Sequence, residues 1–269
     1  MTVLAEASDA APNERMTRSS VAPTEQSDRR REAMDVLRFL IAGLALALVV
    51  RIVAVQPFTI PSSSMEPGLV TGDYIVVSKF AYGWSTASLP FDPPMRPGRV
   101  MGRTPARGDV VVFRRPSDTS QVWIKRVIGL PGDTVQARGG QVFVNGRAVR
   151  RTAMGQARDH DAPDRQVSVV RETLDDGRSY STYDRGFGQP GDDTPAFRVP
   201  AGQLFVMGDN RDNSLDSRWP GDVGVGLLPS ENLIGRAEFV LASWRPGASL
   251  LKPWTWVRLQ TDRLLRPIR

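Results

Sequence analysis

The chain carries one strongly apolar run, Val36 to Val55, interrupted only by Arg38 and Arg51. Its centre, Phe39 to Val50, is unbroken and rich in Leu, Ala and Val. Such a run has to leave water, either into a protein core or into a bilayer. The centre alone is short for a spanning helix, which takes about 20 residues. Arg51 can snorkel to the interface, and the span then extends to Val55 or Phe58. A cleaved signal peptide has an apolar core of similar length. Against cleavage, a long polar segment precedes the core, and Ala54-Val55-Gln56-Pro57 offers no small-x-small site. An uncleaved anchor over 34–56 is therefore expected. Arg29-Arg30-Arg31 ahead of it places the N-terminus in the cytoplasm and the remainder outside. Residues 1–33 are polar and aperiodic, and are expected to form a disordered tail.

Just past this run comes Phe58-Thr59-Ile60-Pro61-Ser62-Ser63-Ser64-Met65-Glu66-Pro67-Gly68-Leu69. Three serines between prolines suit a solvated loop. They also suit a stiff loop presenting a nucleophilic hydroxyl, because proline fixes φ at both ends. A serine attacks poorly unless a base takes its proton.

Composition narrows the choice of base. The chain has no cysteine, which removes thiol chemistry, disulfides and Cys-ligated zinc. Its single histidine, His160, lies in the polar run Arg158-Asp159-His160-Asp161-Ala162-Pro163 and reads as a loop residue. A metal site rich in histidine is impossible. Of 35 basic residues only Lys79, Lys125 and Lys252 are lysines. Arginine stays protonated, whereas a buried lysine can lose its proton near neutrality. The net charge of +6 brings no basic patch with interleaved aromatics, so a nucleic-acid partner is not expected.

From Gly72 onward the texture is β. Strands are expected at 74–80, 109–114, 122–128, 141–144, 204–207 and 238–243, punctuated by Gly-Asp, Pro-Gly and Asn-Gly pairs. Asn145-Gly146 marks a hairpin. Residues 150–200 are more polar and read as a β-rich insertion with long loops. The C-terminal segment from Trp254 to Arg269 is aromatic and basic, suited to docking on the domain or to a membrane surface. Lys125 sits in Gln121-Val122-Trp123-Ile124-Lys125-Arg126-Val127, where strand alternation puts Trp123 and Val127 on its face. Such neighbours desolvate the amine and fit it for general-base work; a strand-edge lysine would keep its amine in water.

Five stretches in order complete the picture: Ile60 to Pro67, Gly72 to Gly83, Arg107 to Phe113, Ile124 to Asp133 and Gly208 to Arg218. Together, behind an N-terminal anchor, they resemble bacterial type I signal peptidase (leader peptidase) over about 36–245, loosely across 134–200. The resemblance implies a mainly β fold: an antiparallel β catalytic core from 57–133 and 202–250, a smaller inserted β-rich subdomain at 134–201, and one transmembrane helix; the aromatic and basic stretch at 251–269 lies beyond it and reads as a C-terminal tail. It implies a membrane-bound serine endopeptidase that removes signal peptides from secreted preproteins at Ala-x-Ala sites. Such an enzyme is single-pass in the bacterial cytoplasmic membrane, its catalytic domain on the outer, periplasmic face. It uses no cofactor and no metal.

The same resemblance assigns roles. Ser64 is implied as nucleophile and Lys125 as general base. Ser214 is implied to orient the lysine amine, and the Ser62 hydroxyl and Ser64 N–H to form an oxyanion hole. Asp216 and Arg218 match a structural ion pair. Phe58, Ile60, Met65, Leu69, Ile75, Val112, Trp123 and Ile124 match positions lining two shallow pockets for small side chains. Two residues depart from the pattern: Gly68 replaces a usual threonine, and Trp123 is bulkier than the usual aromatic and is expected to narrow the first pocket. Trp84, Leu89, Pro90 and Phe91 suit either core packing or a loop dipping into lipid. Read alone, Gly208 to Arg218 also suits an Asp/Asn-rich turn, but it lacks the Glu that a calcium loop of the EF-hand kind needs. Two other classes stay in view: an anchored scaffold with no need of Lys125 or Ser214, and a soluble self-cleaving Ser/Lys regulator, which the anchor argues against.

Overall fold

The computed structural model describes residues 25–89, 93–94, 97–159, 161–244 and 252–268. His160, Pro90, Phe91 and the first 24 residues of the expected tail lie outside them. The described chain divides into two units, with the boundary between Ala47 and Leu48.

Helix α1 runs Glu25–Val53. It starts before the expected anchor, so the end of the polar tail is helical; Glu, Gln and Arg are good helix formers and simply extend the apolar segment. Within it, Arg29–Arg51 spans 23 residues with a mean hydropathy of 2.2. At about 1.5 Å per residue that length matches a hydrocarbon core of about 30 Å. The helix stops short of 56. Pro57 disfavours helical geometry at the residue before it, and Val55 and Gln56 instead pair with Ser78 and Val77.

Strands, joined by loops and short 3₁₀ turns, make up most of the rest of the described fold. In chain order the first four are β1 (Val55–Thr59), β2 (Asp73–Ser78), β3 (Val110–Arg115) and β4 (Asp118–Gly129). Then come β5 (Thr134–Arg138), β6 (Gln141–Val144), β7 (Arg147–Ala148), β8 (Arg150–Arg158), β9 (Gln166–Thr173), β10 (Ser179–Asp184) and β11 (Phe197–Arg198). The chain closes with β12 (Gln203–Met207), β13 (Leu228–Pro229), β14 (Leu233–Ser243) and β15 (Arg266–Pro267). The large sheet has the order β1-β2-β14-β3-β4-β12-β13, with β15 added to β14. Residues before 130 and after 202 thus share one sheet. Between them lie two small sheets, β10-β9-β8 and β11-β5-β6-β7. All strand pairs are antiparallel.

Alternation along the strands builds the core. Ile75, Val77, Val110, Val112, Ile124, Ala237 and Val240 pack under the serine loop with Ile60, Met65 and Leu69. Val111, Phe113, Val127, Leu204 and Val206 form a second cluster. The C-terminal segment docks on the domain. Arg263 is buried and grips the fully buried Asp73 with Nε–Oδ1 at 2.9 Å and Nη2–Oδ2 at 2.5 Å. Its Nη2 also donates to the Gly68 carbonyl at 3.0 Å.

Breaking a buried pair leaves an uncompensated charge, which costs about 3–5 kcal/mol, whereas an exposed pair is worth about 1 kcal/mol or less. Arg263→Ala is therefore expected to lower the thermal midpoint of the full chain strongly. Arg38→Ala, which breaks the exposed pair with Asp35, should leave it nearly unchanged. Equal midpoints for the two variants would contradict the clamp.

Candidate active site

Pro61 and Pro67 bracket a tight 3₁₀ turn, Ser63–Met65, that carries Ser64. Met65 is fully buried and plugs the turn into the core. The turn is tied down on both flanks: Gly72 N–H donates to the Ile60 carbonyl at 3.0 Å and Leu69 N–H to the Met65 carbonyl at 2.9 Å. Asn210 N–H donates to the Ser64 carbonyl at 3.1 Å, linking the turn to the segment after β12. Ser64 itself stays half-buried.

Lys125 comes from β4, opposite Val111 of β3. Its Nζ donates to Ser64 Oγ at 2.9 Å and to the Ile124 carbonyl at 2.9 Å. The residue is 4% exposed. Trp123 lies beside the amine, 5.5 Å from Nζ to the ring centre. Burial pushes the Lys125 amine down to about 8, against the pull of the Asp216 and Asp209 carboxylates and with repulsion from Arg218. A serine hydroxyl in hydrogen-bond contact with a desolvated amine is the geometry that a serine nucleophile and its base require.

Both carboxylates are engaged. Arg218 meets Asp216 twice, with Nε–Oδ1 and Nη2–Oδ2 each at 2.9 Å. Burial pushes the Asp216 carboxyl up, but Arg218 and backbone N–H groups outweigh it and hold the carboxyl below its ordinary range. Arg126 meets Asp209 through Nε at 2.7 Å and Nη2 at 2.6 Å, both side chains buried.

The implied site residues come together unevenly. Ser62 Oγ lies 3.4 Å from Ser64 Oγ, on the open side of the loop. Ser214 joins Ser62, Ser64 and Lys125 around one cavity of about 510 Å³. Its Oγ does not reach the lysine amine; it is buried without a hydrogen-bond partner among the described residues. The amine's second bond goes to its own strand, at Ile124. Gly208 explains the crowding here. A Cβ on it would stand 2.3 Å from Ser214 Oγ and 2.6 Å from the Ser64 carbonyl oxygen.

Of the eight residues assigned to the pockets, Trp123 and Ile124 line this cavity. Ile60, Met65, Leu69, Ile75 and Val112 lie in the core, at most 2% exposed. Phe58 packs against that core and faces a different cavity. The physical reason is the pleat: these side chains form the packed layer behind the loop. Val122, Leu215 and Trp219 complete the wall instead. Trp219 follows directly on the last of the five boxes, a nearness in sequence that could have pointed to it. At Gly68, a Cβ would stand 3.1 Å from Asp209 Oδ2, so the glycine leaves the Asp209–Arg126 pair undisturbed.

Sequence alone gave no sign of the part played by the polar run around His160. Asp161 accepts a very short hydrogen bond from Ser63 Oγ. Asn213 Nδ2 donates to Ser63 Oγ at 2.9 Å and to Asp161 Oδ2 at 2.5 Å. The inserted region thus touches the residue next to Ser64.

Residues 33–244 match the family model described as signal peptidase, peptidase S26. The chain belongs to that family, and it is a protease of the signal-peptide-processing kind. Among its relatives, signal peptidase I of Rickettsia typhi (strain ATCC VR-144 / Wilmington) is 40% identical over 230 residues, 78% of this chain and 85% of the relative. Signal peptidase I of Rickettsia canadensis (strain McKiel) is 40% identical over 245 residues, 84% of this chain and 89% of the relative. A crystal structure of a signal peptidase I from Enterococcus faecalis V583 aligns with 50% of this chain and 97% of that one, at 23% identity and a TM-score of 0.30.

Gly208→Ala should displace Ser214 or the Ser64 loop, and a displacement of about 1 Å in a reacting group can cost about 10²-fold. A drop of that size in kcat/KM on a preprotein is expected. Wild-type kcat/KM in the alanine variant would show that the site tolerates the shift.

Proposed function

We propose that this chain is a membrane-anchored serine endopeptidase that removes N-terminal signal peptides by a Ser64/Lys125 dyad. The observation that carries the reading is the 2.9 Å contact between Ser64 Oγ and the buried Lys125 amine. In its neutral form Lys125 accepts the Ser64 proton as Oγ attacks the scissile carbonyl carbon. Negative charge then builds on the carbonyl oxygen. The Ser62 hydroxyl and the Ser64 N–H are the donors we assign to it. On collapse the lysine ammonium gives its proton to the departing amine, leaving an ester on Ser64. Water, deprotonated by Lys125, hydrolyses that ester and regenerates the dyad.

Ser214 remains in this reading as a positioning residue, packed beside the dyad and shaped by Gly208. Specificity for small-x-small sequences such as Ala-x-Ala follows from the apolar wall of Val122, Trp123 and Ile124 beside Ser64. Large side chains before the cut clash with that wall. The β4 edge away from β3 carries β12 only from Arg126 onward, and among the described residues Val122 to Lys125 have no strand there. An extended substrate added along that edge would bring its carbonyl to Ser64.

Anchoring rests on the apolar helix, whose end is fastened to the domain: Trp84 Nε1 donates to the Val53 carbonyl at 2.8 Å and Lys79 N–H to the Ala54 carbonyl at 2.9 Å. Ser64 follows soon after in sequence. That tether raises the effective concentration of the serine for a substrate that is itself inserted in the membrane. The Arg29-Arg30-Arg31 cluster supports an N-terminus in the cytoplasm of a bacterium, with the catalytic domain on the outer face of the cytoplasmic membrane.

The test is cleavage of a preprotein bearing Ala-x-Ala by the full chain beside Ser64→Ala and Lys125→Arg. Each substitution should lower the rate by about 10³-fold or more while the fold is kept, because nucleophile or base is lost. Substantial activity in Lys125→Arg would place the base elsewhere.

The pH profile follows from the same group. Only the neutral amine works, so kcat/KM should rise about tenfold per pH unit below the lysine pKa and level off above it. With that pKa near 8, the plateau begins on the alkaline side. A rate that is flat from mildly acid to alkaline pH would be inconsistent with a lysine base.

A further inference from the structure

Lys125 and Trp123 stand two residues apart on β4, so the pleat brings both to one face. The Lys125 Nζ lies 5.5 Å from the centre of the Trp123 ring, a cation–π distance. The ring is half-buried and pinned in place. Its Nε1 donates to Gln121 Oε1 at 3.1 Å. The Arg115 guanidinium lies over it, 4.8 Å from the ring centre. That guanidinium is itself held by the Asp222, Val223 and Gly224 carbonyls at 2.7, 3.2 and 3.3 Å. Of the aromatic side chains, tryptophan offers a cation the strongest face.

Proton transfer turns Lys125 from a neutral amine into an ammonium. In a dry site that ammonium is costly, and an amine stripped of all support is a base too weak to take a serine proton. Two of its three N–H groups have acceptors, Ser64 Oγ and the Ile124 carbonyl. The third has no acceptor among the described residues. The carboxylates nearby are already engaged. Asp209 and Asp216 attract the ammonium, but each is paired with an arginine, Arg126 and Arg218, and Arg218 itself repels it. Asp212, the one acid lining the cavity over Ser64, accepts the Arg185 N–H at 2.7 Å.

We propose that Trp123 is a positioning residue for the base: its indole face holds the ammonium that Lys125 becomes on taking the Ser64 proton. The inference rests on the reading of Ser64 and Lys125 as nucleophile and base. Burial alone lowers the basicity of the amine, and the ring returns part of it without admitting water. The same side chain thus excludes solvent and supports the charge that forms once solvent is gone. A purely apolar wall would do only the first. Leucine at this position is dry but has no π face, so it separates the two roles.

The test uses the scarcity of lysine, since the chain has only Lys79, Lys125 and Lys252. The full chain in a neutral detergent is labelled with carbon-13 at lysine Cε. The Lys125 signal is identified by its loss in Lys125→Arg, and its titration is followed by NMR. Trp123→Leu should make Lys125 titrate about half a pH unit lower or more than in wild type, the size of a desolvated cation–π contact, with Trp123→Phe in between. The acid limb of kcat/KM on a preprotein should move to lower pH by the same amount, and the plateau should fall because a weaker base drives proton transfer less. A Lys125 titration that is unchanged or raised in Trp123→Leu overturns the inference and leaves Trp123 as an apolar wall. Trp123→Phe takes its place under the same criterion if Trp123→Leu folds poorly. A lowered titration with an unmoved acid limb supports the ring contact and counts against Lys125 as the base, so the two readings fail separately.

Discussion

The desolvation of one lysine governs the arrangement of the candidate active site. Lys125 sits in the middle of the sheet, 4% exposed, with its amine on Ser64. An amine kept dry gives up its proton near neutrality; the same amine in water would hold it past pH 10. The surroundings must therefore be apolar enough to lower the pKa and must not supply an unpaired carboxylate that would raise it again. Trp123 beside the amine and Val127 farther along the strand serve the first need. The second is harder, because Asp209 and Asp216 are close enough to act on the lysine.

Each of those carboxylates is met by a buried arginine, Asp209 by Arg126 and Asp216 by Arg218. Buried ion pairs are weak evidence for stability, since desolvation offsets much of their attraction. Here their effect on the lysine decides. A paired carboxylate exerts a smaller net field than a lone one, so burial still wins and the amine reaches about 8. Glu172 and Arg211 form a further buried pair at 2.6 Å, with the Tyr180 hydroxyl on the same carboxylate at 3.1 Å. Arg126 also lies over the Tyr180 ring at 4.1 Å. The polar layer behind the site is thus continuous from β4 into the insertion.

What was legible in the sequence follows the range of the interactions involved. The apolar run, the alternating strands and the stiff serine loop are local patterns, and the helix, the sheet and the turn at Ser63–Met65 follow them. Trp123 and Ile124 stand on the cavity wall because they precede Lys125 on the same strand. Ile60, Leu69 and Val112 do not. Which face of a loop or strand ends up under the site depends on packing across the sheet, and a single sequence holds no register. The Arg126–Asp209 and Arg263–Asp73 pairs join residues far apart in the chain. An Arg-rich sequence offers too many candidate partners to select them. Asp161 was masked by its company, since a run of Arg, Asp, His and Pro has the composition of a solvated loop.

Those long-range contacts share a target. The serine loop is held from three directions: by Asn210 N–H on the Ser64 carbonyl, by Asp161 and Asn213 on Ser63, and by Arg263 on the Gly68 carbonyl. The three come from the segment after β12, from the insertion together with that segment, and from the C-terminal stretch. Loops are ordinarily the mobile parts of a fold. In the proposed role, Ser64 has to meet both an amine and a substrate carbonyl within a few tenths of an ångström, which a mobile loop does not allow. Proline at each end restricts the backbone only locally, and tertiary contacts have to fix where the stiffened loop points. Seen this way, the insertion and the C-terminal segment join the strands of the core in placing Ser64 against Lys125.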